Sequence, residues 1–292
     1  MRLGVSSYSY WTAMQKDGFT LFDAIKHAAK TGYEGIEFAD LQIPESVSKE
    51  EYARKLRAAC EEAGIAVSSA AIAADFAEDV EEQKAIVREW LDFSRAVGAK
   101  IMRTDILFGF SDGLRTETQI RERVAAPLRE LAEYAKARGI MLVTENHGHL
   151  FCESRWLLKL TDWVNHDNFR LLADVGNFAD AGCDCGLEVS RVAHLAAHVH
   201  LKDFHCKNGA EFYPGEGWFT TKSGDYIRGA IIGHGDIGVL KCIKHLDEIG
   251  YGGWLTVEFE GIEDALYAIE QSFRNAKRML GSLNTFRWSE SL

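Results

Sequence analysis

A single closed barrel of eight parallel strands with helices outside, a (β/α)8 or TIM barrel, is the fold this sequence predicts. Three observations carry that expectation. Eight short apolar runs recur along the chain, at 3–6, 35–39, 66–72, 100–104, 140–145, 169–174, 198–202 and 254–258. Stretches with apolar residues at helical spacing lie between them. Several of those stretches stop on a glycine just before the next run begins. With 292 residues, three prolines and no linker-like segment, the chain reads as one domain over 1–292, with a loop insertion at about 204–233.

The first run, LGVS, leads into Ser6, Ser7, Tyr8, Ser9 and Tyr10, and not into the glycine-rich phosphate turn of a doubly wound open sheet, the competing α/β architecture. In LFDAIKHAAKTG, residues Leu21, Ala24, Ile25, Ala28 and Ala29 share one helical face and Gly32 can stop the helix. The same order recurs in YARKLRAACEEAG to Gly64, VREWLDFSRAVG to Gly98, LRELAEYAKARG to Gly139 and CIKHLDEIG to Gly250. Strands alternating with helices pair in parallel through right-handed crossovers, and eight such units close into a barrel.

Composition narrows the partners. A formal net charge of -11 argues against a nucleic-acid partner whose phosphates clustered Lys and Arg would have to neutralise. No stretch reaches the roughly 18 apolar residues of a membrane span, and MRLGVSSYSY lacks the order of a secretory signal, so the expected location is the cytoplasm. The six cysteines are expected to be reduced thiols; Cys183 and Cys185 alone are close in sequence, and one such pair supplies half of a tetrahedral metal site.

Barrel active sites are assembled at the C-terminal ends of strands. The last four runs all end in ionisable residues, in VTENHGH, LLADVGN, HVHLKD and LTVEFEG. Strand side chains alternate between the interior and the helix layer, so Glu145, Asp174, His200 and Glu258 are expected to converge above the core. Three carboxylates there repel one another unless a divalent cation binds, and the mixed oxygen and nitrogen set suits manganese first, with magnesium, cobalt or zinc as alternatives. The plainer alternatives are a helix cap at Asp174, a hydrogen-bonded core histidine at His200, and ion pairs of Glu145 or Glu258 with Arg103 or Lys202. His198 shares a strand face with His200 and is placed one layer deeper; Glu260 competes with Glu258 by one pleat.

At these strand ends the sequence resembles the xylose isomerase-like barrel superfamily of sugar isomerases, sugar epimerases, inosose dehydratases and endonuclease IV. The resemblance rests on Glu145 in VTEN, Asp174 in ADVGN, His200 in HVHLKD, GHGDI at 233–237 and Glu258 in TVEFEG. It implies one divalent metal on those four ligands, with Glu145 and Glu258 also moving protons on opposite substrate faces, as in the ketose 3-epimerase branch. It places Asn177 beside the substrate, and His147, Lys202, Asp203 and His234 are further substrate-binding candidates in the mouth, with Arg228 or Lys222 able to meet an anionic group. The endonuclease branch needs histidines on the early strands, which end instead in Ser6, Ala39, Ala70 and Thr104. The aromatic-rich insertion from His205 to Gly233 can wall the site or pack against a neighbouring subunit, so a homo-oligomer is compatible.

The function expected from this is metal-dependent isomerisation or epimerisation of a sugar or related polyhydroxy carbonyl compound through an enediolate. Elimination of water from an inosose or keto-sugar is the enzymatic alternative. A non-catalytic sugar-binding barrel is the alternative from another class.

Overall fold

A computed structural model of the chain describes residues 1–286 apart from 17, 112 and 149. The barrel strands are β1 (Arg2–Ser6), β2 (Gly35–Ala39), β3 (Ala66–Ile72), β4 (Ile101–Thr104), β5 (Met141–Glu145), β6 (Phe169–Asp174), β7 (Ala196–Leu201) and β11 (Trp254–Val257). Before β11 the chain adds β8 (Asp203–Lys207), β9 (Phe219–Thr220) and β10 (Tyr226–Ala230). The helices are α1 (Trp11–Met14), α2 (Leu21–Thr31), α3 (Lys49–Ala63), α4 (Val80–Val97), α5 (Glu117–Lys136), α6 (Ser154–Val164), α7 (Cys185–Val192), α8 (Val239–Glu248) and α9 (Ala265–Phe286). The eight barrel strands close in the order β1-β11-β7-β6-β5-β4-β3-β2, all parallel. Every apolar run of the sequence is a barrel strand.

The helices begin and end where the sequence supplies the chemistry. Thr20 and Asp23 form a reciprocal cap at the start of α2, as Thr116 and Gln119 do at α5, satisfying backbone amides that the first turn leaves open. Gly32, Gly64 and Gly98 close α2, α3 and α4 in the left-handed conformation, with φ of 107°, 70° and 93°.

The main apolar cluster joins one face of the strands to the helices: Val5, Ile36, Phe38, Met102, Leu142, Leu171, Val199, Leu201 and Leu255 alternate into it. The intervening residues point into the barrel, and there, beside apolar Val143 and Leu172, much of the filling is polar. Glu37, Ser69, Arg103, Glu145, Asp174, His198, His200 and Thr256 are all buried. At the opposite end Gly35 makes room for Trp254, whose ring would lie 2.6 Å from any added Cβ. Register sets the level of the site, since Asp174 pairs with His200 and His200 with Thr256 across β6, β7 and β11.

The expected loop at 204–233 carries a sheet of its own. Strand β10 pairs antiparallel with both β8 and β9. Gly229 passes so near the chain after β11 that an added Cβ would lie 2.6 Å from the Glu260 carbonyl carbon, which ties this sheet to the barrel mouth. Among the described residues, no helix is long and apolar enough to cross a membrane, and all six cysteines are free thiols.

Candidate metal centre at the barrel mouth

Strands β5, β6 and β7 and the residue after β11 bring Glu145, Asp174, His200 and Glu258 together, with one ligand atom from each inside a mutual 4.8 Å. His200 Nδ1 lies 3.5 Å from Glu145 Oε1, 3.8 Å from Asp174 Oδ2 and 3.4 Å from Glu258 Oε2. All four side chains are buried. Backbone amides of Gly176 and Asn177 donate to Asp174 Oδ1 at 2.7 and 2.9 Å, fixing that carboxylate and leaving Oδ2 turned inward.

Buried polar atoms almost always find hydrogen-bond partners. Asp174 Oδ2 and His200 Nδ1 have none among the described residues, and they face the same point. Three carboxylates and one imidazole nitrogen around that point fit a divalent cation, with room for further oxygen ligands.

Two basic side chains share the neutralisation. Arg103 Nε pairs with Glu145 Oε2 at 2.8 Å, while its Nη1 meets Asp105 Oδ2 and the Ile72 carbonyl, both at 2.9 Å. Lys202 Nζ lies 2.7 Å from Glu258 Oε2, 3.4 Å from Asp174 Oδ2 and 3.5 Å from Glu260 Oε2. Both ion pairs considered as alternatives to a metal centre are therefore present together with the convergence. Asp105, Glu145 and His147 form a second acidic grouping, but Arg103 is already ion-paired with both of its carboxylates.

Burial raises the proton affinity of every carboxylate here, and the neighbours decide the net direction. Asp174, with Lys202 too weak a counterweight to burial and the Glu145 and Glu258 charges, is pushed up to about 7. For Glu145, Arg103 and His200 overcome burial and hold the carboxyl well below its usual range. Lys202 and His200 do the same for Glu258. For His198, a base, burial carries the imidazole down to about 4 and keeps it neutral.

Above the cluster a cavity of about 410 Å³ is bordered by His147, Asn177, Lys202, Phe204, Phe219 and Glu260, among others. Asn177 joins the two ion pairs: its amide donates to Glu145 Oε1 at 3.1 Å and accepts from Lys202 at 3.2 Å. His147 Nδ1 sits 3.1 Å from Asp105 Oδ1.

Two expected substrate contacts are placed differently. The Asp203 carboxylate receives the amides of Phe204, Gly233 and Gly235 at 3.0, 2.7 and 3.0 Å, so it anchors the GHGDI segment to β8. His234 is exposed and does not border the cavity. Lys222 reaches Cys152 Sγ at 2.9 Å, and Arg228 lies 3.5 Å from Glu263. Glu37, inside β2, escaped sequence reading altogether although its charge in a barrel strand was a signal that a partner was needed.

Residues 25–281 match the family described as xylose isomerase-like TIM barrel. The chain is 28% identical over 258 residues to the inosose dehydratase of Mesomycoplasma hyopneumoniae strain J, covering 81% of this chain and 80% of the relative. It is 25% identical over 243 residues to the rhizopine catabolism protein MocC of Rhizobium meliloti, covering 74% and 72%. Among solved structures it superimposes on an L-ribulose 3-epimerase with a TM-score of 0.76 at 18% identity, over 100% of this chain and 98% of the other. The zinc-bound IolI protein gives 0.77 at 18% identity, over 97% and 99%. The chain belongs to the xylose isomerase-like TIM barrel family.

Proposed function

We propose that the chain is a divalent-metal-dependent lyase that removes water from an inosose or a related keto-sugar. The observation that carries this reading is the unequal pairing of the two glutamates. Glu145 is held by Arg103, a guanidinium that stays charged, and by Asn177. Glu258 is held by Lys202, an ammonium that carries a transferable proton, although the surrounding carboxylates, Glu258 first, outweigh burial and hold that proton more firmly than in a free lysine. The curated relatives named inosose dehydratase support the same reaction.

The metal, when bound, would polarise the substrate carbonyl and acidify the neighbouring C–H. Glu258 takes that proton onto its carboxylate. Lys202 donates a proton to the hydroxyl on the next carbon, whose C–O bond breaks as the C=C bond forms, releasing water. The proton on Glu258 then returns to Lys202 across 2.7 Å, which restores both groups. Glu145 and Asp174 would hold the metal, whose charge would keep Asp174 ionised. Asn177 spans both ion pairs and keeps Lys202 turned to the cavity.

Epimerisation is the second reading, favoured by the shared barrel of an L-ribulose 3-epimerase. It needs a second base on the opposite substrate face, where Glu145 is already committed to Arg103. Incubating the protein with Mn²⁺ and a panel of inososes and ketoses in deuterated water separates the two. Elimination gives a product lighter by one water, and Glu258→Gln reduces its rate by about 10²-fold or more. Products of unchanged mass carrying solvent deuterium would replace this reading with epimerisation.

A further inference from the structure

Glu37 stands inside the barrel on β2, two residues before the strand ends, and has no exposed surface. A carboxylate in such a place is costly unless its charge is met. Both its oxygens lie 3.0 Å from His200 Nε2, and the Ser69 hydroxyl donates to Oε2 at 2.7 Å. Beneath them His198 Nε2 lies 3.3 Å from Ser69 Oγ and 2.8 Å from Thr256 Oγ1. The His200 ring thus has Glu37 on its Nε2 side and Glu145, Asp174 and Glu258 on its Nδ1 side.

We infer that Glu37 is a positioning residue of the cation centre: by accepting from Nε2–H it fixes His200 as the tautomer whose Nδ1 lone pair points at the cation. The role rests on the reading of the four-residue cluster as a metal site. The other neutral tautomer sets a nitrogen lone pair against two carboxylate oxygens at 3.0 Å, so it is disfavoured. Ser69 holds the Glu37 carboxylate from the side, which leaves His200 little freedom to turn. A carboxylate behind a ligating imidazole also raises the basicity of the nitrogen that binds the metal.

The test is Mn²⁺ affinity by calorimetry without any sugar, together with the visible spectrum of the Co²⁺-loaded protein, for wild type, Glu37→Gln and Glu37→Ala. Glu37→Ala is expected to weaken Mn²⁺ by about 10- to 100-fold and to shift the Co²⁺ bands. Glu37→Gln keeps an acceptor oxygen without the charge and should fall between it and wild type. If Glu37→Ala does not fold, Glu37→Gln carries the test, with a weakening of several-fold expected.

Tyr33→Phe, which removes a buried hydroxyl that donates to the Ile269 carbonyl, serves as a control for stability alone. It should bind Mn²⁺ as wild type does. Mn²⁺ affinity within twofold of wild type in the folded Glu37 variants, or an equal loss in Tyr33→Phe, would overturn the positioning role. Wild-type protein that binds no divalent cation would overturn the metal centre itself, which is a separate outcome.

Discussion

Arg103 decides what the cluster becomes. Its guanidinium is buried and meets Glu145, Asp105 and a backbone carbonyl, so removing it strands two carboxylates in a low-dielectric interior. Arg103→Met should therefore destabilise the protein by about 3–5 kcal/mol in urea denaturation. A loss under about 1 kcal/mol would mean that the pair is hydrated in solution, as exposed pairs are. The sequence exposed the four ligand candidates because they fall where apolar strands end. It did not expose Glu37, because GIEFA reads as a buried strand from its pattern and the partner of its carboxylate, His200, lies 163 residues away. Spacing alone does not separate His200 from His198, and only the strand-end position of His200 favours it as the ligand. The structure separates them by partner: His200 faces three carboxylates and Glu37, whereas His198 Nε2 lies nearest Thr256 and Ser69.

At the scale of elements, the barrel was legible because each strand is short and apolar, and several helices end on a glycine such as Gly32, Gly64 or Gly98. The sheet formed by β8, β9 and β10 was not. Its pairing joins Asp203–Ala230 at one end and Lys207–Tyr226 at the other, across an aromatic and polar loop, and β9 has only two residues. Phe204 and Phe219 from this sheet border the cavity, so the insertion walls the site. Asp203 anchors it. Asp203→Ala leaves three backbone amides without their acceptor, a cost of about 1–3 kcal/mol for each one that stays buried and unsatisfied. The expected result is faster amide hydrogen exchange confined to about 203–237, with the strands β1–β7 protected as before. Unchanged exchange in that segment would show that the insertion is held by its aromatic contacts alone.

Across the whole molecule, the fold separates two tasks. The layer between strands and helices is apolar and supplies the burial that stabilises the barrel. The interior near the mouth is given to charge: Glu37, Glu145, Asp174 and Glu258 lie among His200, Arg103 and Lys202. Asp174 Oδ2 and His200 Nδ1, which have no hydrogen bond among the described residues, mark the point at which a cation would sit. The asymmetric pairing of Glu145 with arginine and Glu258 with lysine is the basis for proposing elimination over epimerisation. Everything proposed about chemistry depends on a cation at that point. The most direct measurement is the anomalous difference density of a crystal soaked in Mn²⁺. A single strong peak is expected about 2.0–2.6 Å from Glu145, Asp174, His200 Nδ1 and Glu258. No peak among these four residues, or a peak held by other groups, would contradict it.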